Sequence, residues 1–292
     1  EVYIPTEPAC TYYATDYHGP ASNLRSQEVI NKMASGSACT NIIVSYNGFT
    51  PEAQAAFQFA VDIWANSIES PKPIRIDANF APLGAGVLGQ AGPTAYLTSS
   101  APGSVPSTFY PVALWEKLEN RDSDSGTFGP DNGQSIDISC TFSSTFNFYF
   151  GTDAMPPSSQ FDFVSVVLHE LAHGLGFSGF ATSNGTTGSI RQTAVPRPSI
   201  YDTFIENGSG ADILSFADPS SELHVQLTSG NLFCNGPEAT LANGGAFPQT
   251  FAPNPFNGGS SYSHWDEAAF PAGNINSLMS PQIGFGEANH NP

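Results

Sequence analysis

Two hydrophobic periods alternate along this chain. Ala53, Ala56, Phe57, Ala60, Val61, Trp64 and Ile68 recur three and four residues apart, the spacing of one helix face. Thr50-Pro51-Glu52 ahead of them offers a capping hydroxyl and a proline at the first helical position, so a long amphipathic helix is expected there. A second series, Phe161, Val164, Val167, Leu168, Leu171, Ala172 and Leu175, has Asp162 in its first turn and Gly174 and Gly176 at its end. It predicts a helix buried on most sides. A shorter helix is expected from about Pro111 to Leu118. Asn41 to Tyr46, Pro73 to Ala78, Ser135 to Phe142 and Phe146 to Phe150 read as strands, and Glu222 to Leu227 alternates like another. Residues 1–40 carry little periodic signal, and Leu83 to Gly92 reads as a glycine-rich loop without the lysine or following helix of a phosphate cradle. Past Gly176, repeated Asn-Gly, Gly-Gly and Asn-Pro pairs signal loops. The expected fold is α+β: a twisted mixed sheet with helices packed on it in residues 1–176, and a loop-rich lobe in 177–292.

The second helix carries chemistry. His169-Glu170-Leu171-Ala172-His173 places two imidazoles four residues apart, which on a helix aims both at one metal ion and leaves Glu170 beside it. Histidine and glutamate inside a largely apolar helix are costly unless they hydrogen-bond or coordinate, so burial favours a site over decoration. Catalytic zinc takes three protein ligands and keeps a position open, so one more ligand must come from elsewhere. In the spacing His-Glu-x-x-His-x-x-Gly-x-x-His the third ligand would stand at 179, which is Gly179. The remaining histidines are His18 in an irregular Tyr-rich stretch, His224 in the alternating segment, His264 in Ser263-His264-Trp265-Asp266-Glu267, and His290 near the end.

The combination of His-Glu-x-x-His-x-x-Gly-Phe, a long insertion, Ser263 to Glu267 and then Ser277-Leu278-Met279-Ser280-Pro281 resembles the leishmanolysin-like metzincins, particularly their secreted bacterial members. The specific motifs span His169 to Met279, and the upstream part is similar in layout only. The resemblance implies a metzincin-type zincin in which His169, His173 and His264 hold Zn2+, Glu170 is the general base toward a zinc-bound water, and Met279 forms the turn beneath the ligands. It implies a secreted zinc endopeptidase acting on protein or peptide substrates, made with a signal and an inhibitory pro-segment that have been removed here, and continuing past Pro292 in bacterial relatives. Glu206 is the alternative third ligand, as in a gluzincin arrangement, although that scheme needs neither Gly176 nor the Met279 segment. Tyr262 is a candidate for the oxyanion, with a packed aromatic as the plainer reading. A binding module on a protease-like fold and a zinc hydrolase of non-peptide bonds are the rival functions.

Composition narrows the partners. A net charge of −18, from 26 acidic against 8 basic residues, argues against nucleic acid or an anionic membrane. No apolar run is long enough for a signal peptide or a membrane span, and a mature, monomeric chain is expected. Asp122-Ser123-Asp124-Ser125-Gly126 and Asp131-Asn132-Gly133 could supply Ca2+ ligands, but they lack the terminal glutamate of an EF-hand loop. Four cysteines without a Cys-x-x-Cys pair fit two disulfides of an extracellular protein, Cys10 to Cys39 and Cys140 to Cys234 being favoured, with a free Cys10 masking the zinc as the alternative. Asn184 and Asn207 stand in glycosylation sequons.

Overall fold

The computed structural model describes all residues except 8–9, 37, 124–135 and 192–195. The chain opens with β1 (Val2–Tyr3), the long strand β2 (Cys10–Asn23) and helix α1 (Gln27–Ser35), then runs through β3 (Ile42–Asn47), α2 (Pro51–Ser67), β4 (Ile74–Ala81), β5 (Val87–Pro93), β6 (Tyr96–Thr98), β7 (Phe109–Pro111) and α3 (Val112–Glu119). Strands β8 (Ile138–Ser143), β9 (Phe148–Tyr149) and β10 (Phe161–Asp162) lead into α4 (Phe163–Leu175). The remainder holds β11 (Thr182–Ser183), β12 (Gly188–Ser189), β13 (Ile205–Asn207), α5 (Ser221–Leu227), β14 (Leu232–Cys234), α6 (Pro237–Ala242), β15 (Gln249–Thr250) and β16 (Gln282–Asn289).

This is a mixed α+β arrangement around a six-stranded sheet in the order β16-β2-β5-β8-β4-β3. Strands β3, β4 and β8 run parallel, whereas β5 is antiparallel to both β8 and β2. The last strand, β16, returns from the second half of the chain and lies parallel to β2. Helices α2 and α4 pack together, burying Ala56, Phe57 and Ala60 with Val164, Val167 and Leu168 against Ile74, Ile76 and Phe142 of the sheet. Thr50 caps α2 by accepting from the Ala53 amide, with Pro51 in the first turn. Across the interface, Trp64 Nε1 donates to the Leu168 carbonyl at 3.1 Å. A second core, built from residues such as Tyr201, Ile205, Leu223, Leu232 and Tyr262, gathers the loop-rich half. The first core takes in Leu278, Met279 and Ile283 as well, so the tail closes onto the sheet.

Four expectations need correction. Residues 10–23 form a strand although their apolar pattern is weak, because β2 is paired on both edges and its pairing decides its conformation. Val87 to Pro93 is strand β5, not loop, and Gly89 serves close approach: a Cβ there would meet Glu170 Cγ at 3.0 Å and Phe142 at 3.2 Å. His224 lies on helix α5, capped by Ser220, where tertiary burial of Leu223 and Leu227 overrides the alternation. Neither expected disulfide forms, and all four cysteines are free. Cys39 precedes β3, four strands from Cys10 on β2, which at about 4.8 Å per strand far exceeds the roughly 7 Å limit between bridged Cα atoms. Cys140 sits in the large sheet and Cys234 in the separate β13-β14-β15 sheet. The strand at Ser135, the Asp124 to Gly126 part of the first acidic loop and the Asp131 to Gly133 loop fall at least partly outside the described residues, while Asp122 pairs with Arg75 at 3.1 Å.

Packing at Gly174 gives a direct check. A Cβ there would stand 2.4 Å from Ile138 Cγ2, so Gly174→Ala sets a helix-propensity gain of about 1 kcal/mol against overpacking of about 1–3 kcal/mol. A net loss is expected, read as a lower urea midpoint with unchanged slope. A raised midpoint would contradict this packing.

Candidate functional site

Helix α4 is held at both ends. Asp162 caps it, its Oδ2 accepting from the Ser165 amide at 2.8 Å, the Ser165 hydroxyl at 2.7 Å and His290 Nε2 at 2.8 Å. Asn289 donates its amide to Ser165 Oγ at 2.7 Å, so the end of β16 is stitched to the start of the helix. At the other end Gly176 takes φ 127°, a conformation L side chains rarely adopt, and donates to the Ala172 and His173 carbonyls. The helix is therefore fixed where its two histidines emerge.

His169 and His173 share one face as their spacing requires, with Nε2 atoms 3.0 Å apart. His264 arrives from beyond the second core, its Nε2 lying 3.1 Å from His169 Nε2 and 3.2 Å from His173 Nε2. All three rings are fully buried. Each Nδ1 faces a backbone carbonyl at 2.7 Å: Leu278 for His169, Phe177 for His173 and Ser260 for His264. A carbonyl has no proton, so each Nδ1 must donate, and the neutral ring then presents a bare lone pair at Nε2. Burial, the largest cause for all three, pushes the imidazole pKa values down, well below the usual range for His169 and His264 and to about 4 for His173, so the neutral form prevails near pH 7.

Three lone pairs in mutual contact cannot hydrogen-bond to one another. They repel unless a cation lies among them, and nitrogens about 2.0–2.1 Å from a shared tetrahedral centre would be separated by about 3.3 Å, close to the spacing here. The carbonyls behind the rings are the outer-shell partners that fix tautomer and orientation in such sites.

Glu170 stands beside this triangle, fully buried. Its Oε1 accepts from the Tyr12 amide at 3.1 Å, and its Oε2 is buried with no partner among the described residues. Burial pushes its pKa well above the ordinary carboxylate range, opposed by the Tyr12 and Ala91 backbones. Gly89 makes room for this side chain against β5.

The Met279 segment is a 3₁₀ turn, Ser277–Met279, directly behind His169. Leu278 supplies the carbonyl to His169, and Met279 accepts from the Trp265 amide at 2.8 Å, tying the turn to the residue after His264. Gly179 lies where the short spacing would have a histidine, but a Cβ there would meet Tyr262 at 2.3 Å and Asp202 at 2.5 Å, so no side chain fits.

The other candidates lie elsewhere. His18 stacks on Phe285, His224 contacts Ser183 Oγ at 2.7 Å, and His290 pairs with Asp162. Glu206 accepts from Asn235 on the second core's sheet. Tyr262 is fully buried against Tyr201 and Asp202, a packed aromatic.

Three groups escaped the sequence reading. Asp202, fully buried and pushed up to about 7 by burial, accepts from the Phe180 amide at 3.2 Å and the Ser199 amide at 2.6 Å, locking the loop that leaves α4. Glu267 and Glu287 are likewise raised to about 7, burial first and, for Glu267, the neighbouring Glu287 charge next. The third is Tyr12, two residues past the Cys10 that the sequence offers as an alternative zinc mask. The Cys10, His173 and His264 ligand atoms lie within 4.8 Å of one another, and the Tyr12 ring stacks on His169 at 3.6 Å and 7°. Only the cysteine itself was a usable signal there.

Comparison with known proteins adds one finding. A family model described as SPBPB7E8-like matches residues 108–187, a stretch that includes α4 but neither Cys10 nor His264. No curated protein and no solved structure matches the chain.

The depressed imidazole pKa values fix a sign. Where the folded pKa lies below 6.5, the unfolded chain binds more protons, so stability is complete above pH 6.5 and falls as pH drops toward about 4 for His173. The raised acids have the opposite slope, so the comparison is between chelator-treated parent and His173→Gln. From about pH 7 to 5 the parent should lose about 1–2 kcal/mol relative to the variant, read from urea midpoints. Identical pH dependence would contradict neutral burial of His173.

Proposed function

We propose that this protein is a zinc-dependent endopeptidase of metzincin type, resembling the secreted leishmanolysin-like enzymes. The observation that carries the reading is the convergence of three buried Nε2 lone pairs beside a buried carboxylate. His169, His173 and His264 would hold the metal. Zinc, when bound, supplies Lewis acidity toward the scissile carbonyl and brings the pKa of a coordinated water to about 7.

The chain's own residues do the rest. Glu170, one residue from the first ligand, lies where it can take a proton from the attacking water, hold it at Oε2, and give it to the leaving amine. Burial raises its pKa in the metal-free protein and so favours holding a proton, while the charge of a bound dication would act the other way. The Leu278, Phe177 and Ser260 carbonyls keep the three rings in the ligating tautomer. Substrates would be proteins or peptides. No helix among the described residues is long and apolar enough to cross a membrane. Extracellular location follows from the resemblance alone, since the cysteines are unpaired.

Glu170→Ala should keep its zinc and lose cleavage of an unfolded protein substrate by roughly 10²- to 10⁴-fold. Retained activity would remove Glu170 from the chemistry. His264→Ala should lose zinc on dialysis while Glu206→Ala keeps it, measured by elemental analysis. The reverse pattern would transfer the third ligand to Glu206.

A further inference from the structure

The loop-rich half leaves a cavity where it meets the end of α4, Trp64 of α2 and the Met279 turn, with helix α6 at its mouth. Its volume is about 370 Å³, inside the range of about 300–1,000 Å³ that small-molecule pockets span. Trp64, Phe177, Trp265 and Phe270 form aromatic walls, and the buried Leu278 and Met279 form the floor. These walls are fixed in place: Trp64 is tied to the Leu168 carbonyl, and the Trp265 ring meets Phe177 edge-on at 4.7 Å and Phe270 at 6.0 Å. Among the described residues no charged side chain lines the cavity, although the chain carries a net charge of −18. Its polar side chains are asparagines. Asn243 and Asn276 donate their Nδ2 groups to the Ala246 and Ala242 carbonyls at 3.0 and 3.4 Å, which leaves their side-chain oxygens as acceptors.

We infer that this cavity is an effector site for a small, neutral, aromatic molecule with a hydrogen-bond donor, and that its occupation is coupled to the metal site. An uncharged apolar wall favours a neutral guest, because an ion entering it would lose its hydration with no opposite charge in return. Substrate binding is a separate event, since none of His169, Glu170, His173 and His264 lines the cavity. The coupling rests on the zinc peptidase reading; the pocket does not.

The coupling follows from which residues form the wall. Leu278 and Phe177 give the carbonyls that face Nδ1 of His169 and His173, and Trp265 follows His264 directly in the chain. Trp265 and Met279 are themselves joined, amide to carbonyl, at 2.8 Å. Each of the three rings is thus attached at its back to a residue that lines the cavity. A guest packed among these residues restricts the segments that carry them, and a metal that needs the same ordering then loses less conformational entropy on binding. Guest and metal therefore favour each other, and by the same factor.

The probe is N-phenyl-1-naphthylamine, a neutral aromatic amine whose emission rises in apolar surroundings and whose N–H matches the asparagine oxygens. One equivalent should bind the full chain, with energy transfer from Trp64 and Trp265 to the probe. Ala242 is exposed at the mouth, so Ala242→Phe narrows the entrance without touching the metal site, and it should weaken the probe by about tenfold or more at an unchanged urea midpoint. Ile275→Asp, at another exposed lining residue, sets a charge on the rim and should weaken it likewise. The probe should bind zinc-loaded parent about fivefold or more tighter than chelator-treated parent, and saturating probe should tighten zinc by the same factor. No binding, or binding that both substitutions leave unchanged, would overturn the pocket. Several weak equivalents, spread over the exposed Leu241, Phe247 and Ile275, would mark an apolar face for another protein and overturn it as well. Equal probe affinity with and without bound zinc would overturn the coupling. A parent that binds the probe but no zinc would sink the peptidase reading, and the coupling with it.

Discussion

Everything at the site depends on three hydrogen bonds that point away from it. The Leu278, Phe177 and Ser260 carbonyls each claim an imidazole Nδ1–H, and this forces the opposite nitrogens to face one another as acceptors. Without a cation that arrangement is repulsive, and burying three such rings costs free energy that no hydrogen bond at Nε2 returns. The surrounding structure spends its packing to hold the triangle: α4 is buried against α2 and β8, capped by Asp162 and stitched to β16 through Ser165. Two of the three carbonyls come from the chain beyond residue 250, so the loop-rich half fixes ring orientation as well as supplying His264.

The return of that half is itself built from buried polar contacts. Asp202 gathers the Phe180 and Ser199 amides, Gly179 lets Tyr262 and Asp202 close over the loop, and Tyr201 donates its hydroxyl to the Tyr262 carbonyl at 2.8 Å. Each of these groups would be costly left unpaired, so the loop from α4 and the segment before His264 are specified together. The Met279 turn joins them through its bond to Trp265, and β16 then carries the chain back into the sheet.

Local signals made much of this legible from the sequence. The i, i+4 histidines, Thr50-Pro51 and the glycines closing α4 act within one helix turn, and each is realised where its spacing puts it. His264 and Met279 stood out through their short motifs, and they do come to the triangle and the turn behind it. What stayed hidden was set by distant partners. Strand β2 is paired on both edges and shows no clean alternation; β5 hides behind glycines, of which Gly89 makes room for Glu170; α5 reads as a strand until Leu223 and Leu227 are seen buried on one side. The cysteines misled because their even number says nothing of separation, and the sheet order keeps Cys39 far from Cys10.

The most direct test is elemental analysis with X-ray absorption at the zinc edge on protein purified without added metal. One zinc per chain with at least three nitrogen ligands at about 2.0–2.1 Å is expected. A chain that folds to the same stability in excess chelator, and carries no zinc, would contradict it.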